Sequence, residues 1–197
     1  MSMNDASVVR YRIDASRSRF VVQGEAEGML SMFGHDPVIA VCGFGGDVRC
    51  DPDTLASASL LMLVQADSLA VVNKVSDKDK REMERGMRQD VLEIARYPEI
   101  VFMSTQVSAN RTAEAQYQAR INGNLSLHGV TRAQQINAQI TVDGSGLLRA
   151  RGEFPLRQSD YNIKPVSAVG GTLRMKDELR LSFDIGAIAD FGLRNAD

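Results

Sequence analysis

The chain has 197 residues, 44% of them hydrophobic and 24% charged, with 23 basic against 25 acidic side chains and a formal net charge of −2. This composition suits a folded domain with a sizeable core and excludes a disordered chain. Near-neutrality removes the field that would recruit nucleic acid, and no apolar run of about 20 residues offers a spanning helix, so neither a nucleic-acid partner nor an integral membrane protein is expected.

In chain order, Met1 to Arg10 lacks both an apolar stretch and a small-residue cleavage site, which predicts a cytoplasmic protein without a secretory signal. Phe20, Val22, Gly24 and Ala26 then alternate as one face of a strand. Gly34-His35-Asp36-Pro37 follows, with two readings open: His35 hydrogen-bonds a ligand head at a rim, or the Asp turn merely orders its own backbone. Cys42 and Cys50 read as free, buried thiols of a reducing compartment. Gly45-Gly46 and Asp51-Pro52-Asp53 are turn signals, and Leu60, Met62 and Val64 form the next inward face.

Ser76 to Ala95 breaks the alternation. It is charge-rich, places Met83, Met87 and Val91 on one helical face, opens with a capping pattern at Ser76 to Asp79, and is stopped by Tyr97-Pro98. This is the one substantial helix expected, packed across an end or side of the sheet and suited to act as a movable cover. Strand alternation resumes at Ile100, Phe102 and Ser104, then runs from Tyr117 to Leu127 and through Ile136, Ala138, Ile140 and Val142, with a turn at His128-Gly129 joining the last two as a hairpin. His128 is expected to hydrogen-bond local backbone there.

After the turn Asp143-Gly144-Ser145-Gly146 and the strand Leu147 to Leu156, the segment Arg157 to Pro165 concentrates charge. Arg157 and Lys164 either meet an anionic head group or Arg157 pairs with Asp160 to stiffen the loop. Gly170-Gly171 and Lys176-Asp177-Glu178 mark turns before a last alternation at Leu179, Leu181, Phe183 and Ile185.

About eight strands with short connections follow, and their apolar face must be covered. One helix covers too little, so the economical fold is mainly β: a closed antiparallel, lipocalin-like β-barrel, with a two-sheet sandwich as runner-up. One domain is expected over residues 1–197, its core from about residue 9 to about residue 188. Two isolated histidines, His35 and His128, and two separated cysteines supply neither a triad nor a zinc ligand set, and the glycine pairs lack a phosphate-loop context. The chain is therefore read as a non-enzyme, with no catalytic residue, metal or cofactor.

Tyr11-Arg12-Ile13-Asp14 with Ser16 to Phe20, then Arg96-Tyr97-Pro98-Glu99-Ile100-Val101-Phe102-Met103-Ser104-Thr105, then Gly123-Asn124-Leu125-Ser126-Leu127-His128-Gly129-Val130-Thr131 together resemble the YceI-like domain family over nearly the whole chain. The resemblance implies an antiparallel barrel around an apolar tunnel for polyisoprenoids or quinone precursors. Many relatives are exported, whereas this chain shows no leader. Pro37 stands where a second histidine often follows Gly-His-Asp, Tyr161-Asn162 replaces a usual Phe-Gly, and there is no Trp to contact a ligand.

The expected function is carriage of a long apolar molecule, such as an isoprenoid or other lipid. Phe20, Val22, Leu60, Met62, Ile100, Phe102, Ile121, Leu125, Ile140, Phe154, Leu181 and Phe183 would line the tunnel, with His35, Arg157 and Lys164 at the head group. The alternatives are a structural or interaction protein with a filled barrel, such as a homodimer, and an enzyme acting on a lipid head through His35 or His128.

Overall fold

The computed structural model describes residues 8–27, 36–168 and 173–190. In chain order the strands are β1 (Val9–Gln23), β2 (Ala26–Glu27), β3 (Val38–Val41), β4 (Phe44–Cys50), β5 (Ser59–Gln65) and β6 (Leu69–Val71). Helix α1 (Asp77–Gly86) runs on into a π-helical turn at Met87–Val91. Then come β7 (Glu99–Ala113), β8 (Gln116–Leu127), β9 (Val130–Val142), β10 (Leu147–Arg157), β11 (Ser167–Ala168), β12 (Leu173–Met175) and β13 (Glu178–Ala189).

Every strand pairing is antiparallel, and the order β13-β10-β9-β8-β7-β5-β4-β1 closes when β1 pairs with β13 from Tyr11↔Ala189 to Gln23↔Arg180. Eight strand positions thus make a closed barrel without a free edge around the ring. β3 and β4 act as one interrupted strand, since both pair with β1. β5 and β6 do the same beside them, but β6 pairs only with β3 among the described residues.

Alternation explains the wall. In β8 the odd positions Tyr117, Ala119, Ile121, Gly123, Leu125 and Leu127 are buried, and they face Ile140, Ala138 and Ile136 of β9 in register. The outward positions of the same strand are Gln116, Gln118, Arg120, Asn122 and Asn124, so this strand is apolar on its inner face and polar on its outer one. Among the described residues no helix is long and apolar enough to cross a membrane.

Bulges switch the inward parity. In β1 the register shifts between Asp14 and Arg19, where Ser18 donates to the Asp14 carbonyl and accepts from Gly186 N–H. Inward residues therefore change from Ile13 to Phe20 and Val22. A second shift between Ser104 and Gln106 turns the inward set of β7 from Ile100 and Phe102 to Val107 and Ala109.

The hairpin expected at residue 128 forms with His128 at φ 50° and Gly129 at φ 75°, the left-handed pair that a tight two-residue turn requires. Gly45-Gly46, expected as a turn, lies inside β4 instead. A Cβ on Gly46 would meet the carbonyl oxygen of Leu61 on β5, so close strand approach selects glycine there. Gly24 also lies outside the continuous run of β1, which ends at Gln23. Gly170-Gly171 lies outside the described residues.

The helix begins as its capping pattern implies, with Ser76 accepting from Asp79 N–H. It ends at Val91 rather than Ala95, because Glu93 takes φ 46° and its carbonyl accepts from both Arg96 and Tyr97 N–H, closing a turn before Pro98. Met83, Met87 and Val91 face the barrel interior. Of the two thiols expected to be buried, Cys50 is fully buried and Cys42 is exposed, since Cys42 sits at the break between β3 and β4 where the wall changes parity.

Candidate functional site

The barrel encloses a cavity of about 950 Å³. This volume lies near the top of the range of small-molecule sites and is incompatible with a filled interior. All eight strand positions contribute: Ile13, Phe20 and Val22 from β1; Val48 from β4; Leu60 and Met62 from β5; Ile100, Phe102 and Val107 from β7; Ile121 and Leu125 from β8; Ile136 and Ile140 from β9; Leu148, Phe154 and Leu156 from β10; and Leu181, Phe183 and Ile185 from β13. Phe154 and Phe183 meet at a tilt of 57° with 6.4 Å between centroids, and Phe20 meets Phe44 edge-on at 6.1 Å.

One end is shut. The connection from β4 to β5 turns on Asp51, whose carboxylate accepts the N–H groups of Asp53 and Thr54 and the Thr54 hydroxyl, each at 2.9 Å. The Thr54 hydroxyl, with these backbone donors, holds the Asp51 carboxyl below the usual range. The loop then folds inward: Leu55, at φ 54°, is 5% exposed and lines the cavity, and the Tyr117 hydroxyl reaches across from β8 to the Asp53 carbonyl. Cys50 lies beside it, and burial pushes its thiol up to about 11, so it stays protonated and inert.

The other end is a mouth. There α1 lies beside β6, which pairs only with β3 among the described residues, and is fastened to the backbone of that strand and of the turn before it: Glu84 accepts the Val71 N–H at 3.0 Å, and Arg88 donates to the Asp67 and Leu69 carbonyls at 3.3 and 3.4 Å. Ladder pairing between β9 and β10 runs for six residue pairs, Val142↔Leu148 to Asn137↔Glu153, and stops before Pro155, which has no N–H to donate. Beyond it Arg132 donates to the Asp160 carbonyl. The cavity's charged lining residues, Glu82, Asp90 and Lys164, are all exposed and all at this end. Gln158 is 6% exposed, but its amide is spent on the Lys176 and Asp177 carbonyls.

All twelve residues expected to line a tunnel do line the cavity. Of the three expected at a head group, Lys164 lines the mouth, and His35 lies outside the described residues. Arg157 is a correction: Leu156 points inward, so its neighbour points out, where Arg157 is 67% exposed and pairs with Glu178 at 4.0 Å rather than with Asp160. His128 also differs from expectation, because its ring is held by distant partners, Glu93 Oε2 at 2.7 Å and the Tyr161 carbonyl at 3.2 Å, with the Tyr97 ring tilted against it at 4.6 Å between centroids.

Several cavity residues escape the alternation: Val107 lies past the β7 bulge, Ile39, Val41, Leu69 and Val71 belong to the interrupted strands, and Leu55 and Ile163 to loops. Paired changes of inward parity are the signal that would have found most of them. Among the described residues no group of three or more His, Cys, Asp or Glu could hold a metal, and no buried side-chain polar atom lacks a partner.

Comparison with known proteins gives a consistent picture. The YceI-like domain family matches residues 11–187. A UPF0312 protein of Pseudomonas savastanoi pv. phaseolicola is 34% identical over 101 residues, which are 49% of this chain and 48% of that one, so the match spans about half the relative's length. A UPF0312 protein of Vibrio cholerae is 28% identical over 131 residues, 64% of each chain. Among solved structures, the polyisoprenoid binding domain from Saccharophagus degradans superposes with TM-score 0.66 at 12% identity, covering 91% of this chain and 98% of that one. BcnA of Burkholderia cenocepacia superposes with TM-score 0.65 at 16% identity, covering 88% and 98%. These likenesses establish the shared fold.

Proposed function

This chain belongs to the YceI-like family, and we propose that its barrel binds one long apolar molecule, of the polyisoprenoid or quinone-precursor kind, without acting on it chemically. The observation that carries the reading is the cavity itself: about 950 Å³, walled by aliphatic and aromatic side chains, with the charged lining residues among those described, Glu82, Asp90 and Lys164, confined to the mouth. Each methylene moved from water into such a space contributes about 0.8 kcal/mol, so a chain of many carbons is held without any specific polar contact. The polyisoprenoid binding domain of Saccharophagus degradans supports the ligand class through its shared fold.

The tail would occupy the closed end and the head would remain at the mouth, within reach of Lys164. With every buried side-chain polar atom among the described residues already satisfied, none of them asks for a polar ligand group. His128 is committed to Glu93 and Tyr161, which supports a carrier or sequestering role over an enzyme. Organic extraction of the purified protein followed by mass spectrometry tests the reading. An extracted isoprenoid or comparable lipid, or uptake of added octaprenol at one per barrel, is expected; a barrel that yields no lipid and takes up none contradicts it.

One further observation favours self-association in addition. Leu61, Leu63 and Met103 are 37%, 40% and 54% exposed on the outer wall, with Leu61 and Met103 directly paired across β5 and β7. A homodimer through this face predicts that Leu61→Lys yields a monomer by light scattering; an unchanged mass removes it.

A further inference from the structure

We propose that Gly123 and Gly152 set the bore of the cavity, by letting the rings of Phe102 and Phe183 lie back against its wall, and so decide how wide a chain it accepts. The inference rests on the binding reading above and concerns which chain fits. Both glycines stand at inward strand positions, Gly123 between Ile121 and Leu125 of β8 and Gly152 between Ala150 and Phe154 of β10. Neither has a positive φ, so backbone conformation does not require glycine at either place. Space does. A Cβ on Gly123 would fall 2.5 and 2.8 Å from two ring carbons of Phe102. One on Gly152 would fall 2.7 and 3.1 Å from two ring carbons of Phe183.

The same device is therefore built twice, across β7/β8 and across β10/β13, on two separate sectors of the wall. Each ring fills the place of the side chain its neighbour lacks. Both rings border the cavity, so a ring denied that place swings toward the lumen, where a ligand would run. A methyl-branched chain is wider than a straight one of the same length and meets the narrowed bore first. Wild-type glycines thus admit branched chains, and the phenylalanines set the upper limit of width.

The test is a titration of delipidated protein with geranylgeraniol, which is methyl-branched, and with arachidyl alcohol, the straight chain with the same number of carbons. Gly123→Ala and Gly152→Ala are expected to weaken the branched alcohol by about tenfold and the straight one by less than about threefold. Adding Phe102→Leu to the first and Phe183→Leu to the second restores the branched ligand. The new Cβ also meets a carbonyl oxygen, of Met103 at 2.6 Å or, closer still, of Asn137, so the glycine variants lose stability. Phe102→Leu and Phe183→Leu alone, which add no such contact, carry the test independently and raise the branched-to-straight preference. Equal weakening of both alcohols, failure of the double variants to restore, or an unchanged preference in the leucine variants overturns the proposal. Wild-type protein that takes up neither alcohol overturns the binding reading itself, and this one with it.

Discussion

The two ends of the barrel are built from opposite materials. At the closed end a hairpin loop folds inward on a hydrogen-bonded aspartate turn, buries Leu55 against the cavity and ties itself across the barrel through Tyr117, and no charged side chain reaches the lumen. At the mouth two strand pairings stop short, and β6 is flanked by a helix whose inward stripe includes Met83, 39% exposed. In the proposed binding role, the closed end would retain the apolar chain and the mouth would admit it. The difference places stability at one end and access at the other.

The largest effect expected from breaking this contrast is at the closed end. Leu55→Ala should cost about 2–4 kcal/mol in urea unfolding, because it deletes a buried side chain whose backbone is already fixed in an uncommon conformation. Met83→Ala at the mouth should stay within about 0.5 kcal/mol. Equal costs would erase the distinction between plug and cover.

A smaller effect sharpens the mouth. Glu84→Ala removes the carboxylate that fastens α1 to the Val71 N–H, and with a hydrogen bond to a charged group contributing about 1.5 kcal/mol the Val71 amide and the helix should exchange hydrogen about tenfold faster, while β8 is unchanged. Unchanged exchange at Val71 would mean that this bond does not hold the helix.

The smallest perturbation leaves the fold untouched and compares the two thiols. Burial raises the Cys50 thiol to about 11, favouring its neutral form, so at pH 8 only about a thousandth is thiolate, while Cys42 is exposed. An alkylating reagent should modify Cys42 in the native protein and Cys50 only after unfolding. Native labelling of Cys50 would show that the closed end opens.

Most of the barrel was legible in the sequence because period-two alternation is a local consequence of strand geometry. Tyr117 to Leu127 reveals its inward face without any partner, and alternation likewise picked out twelve of the residues that line the cavity. Legibility fails wherever the chain changes parity. Val107 follows a bulge, Val41 precedes a break and Val71 follows one, and Leu55 enters the cavity from a loop, each placed by tertiary structure rather than by its own neighbours. The mouth was least legible. Arg157 and Lys164 are equally cationic in sequence, and only the strand register turns one to the outer wall and leaves the other at the rim.

The central claim is that the lumen takes up a long apolar chain, and the methionines report on it directly. Met62 lines the cavity, Met87 lies under the helix that covers the mouth, and Met103 is 54% exposed on the outer wall. In a titration of methyl-labelled, delipidated protein with geranylgeraniol, the Met62 and Met87 methyl resonances should move and saturate at one ligand per chain while Met103 stays in place. A stationary Met62, or a shift confined to Met103, would contradict binding inside the barrel.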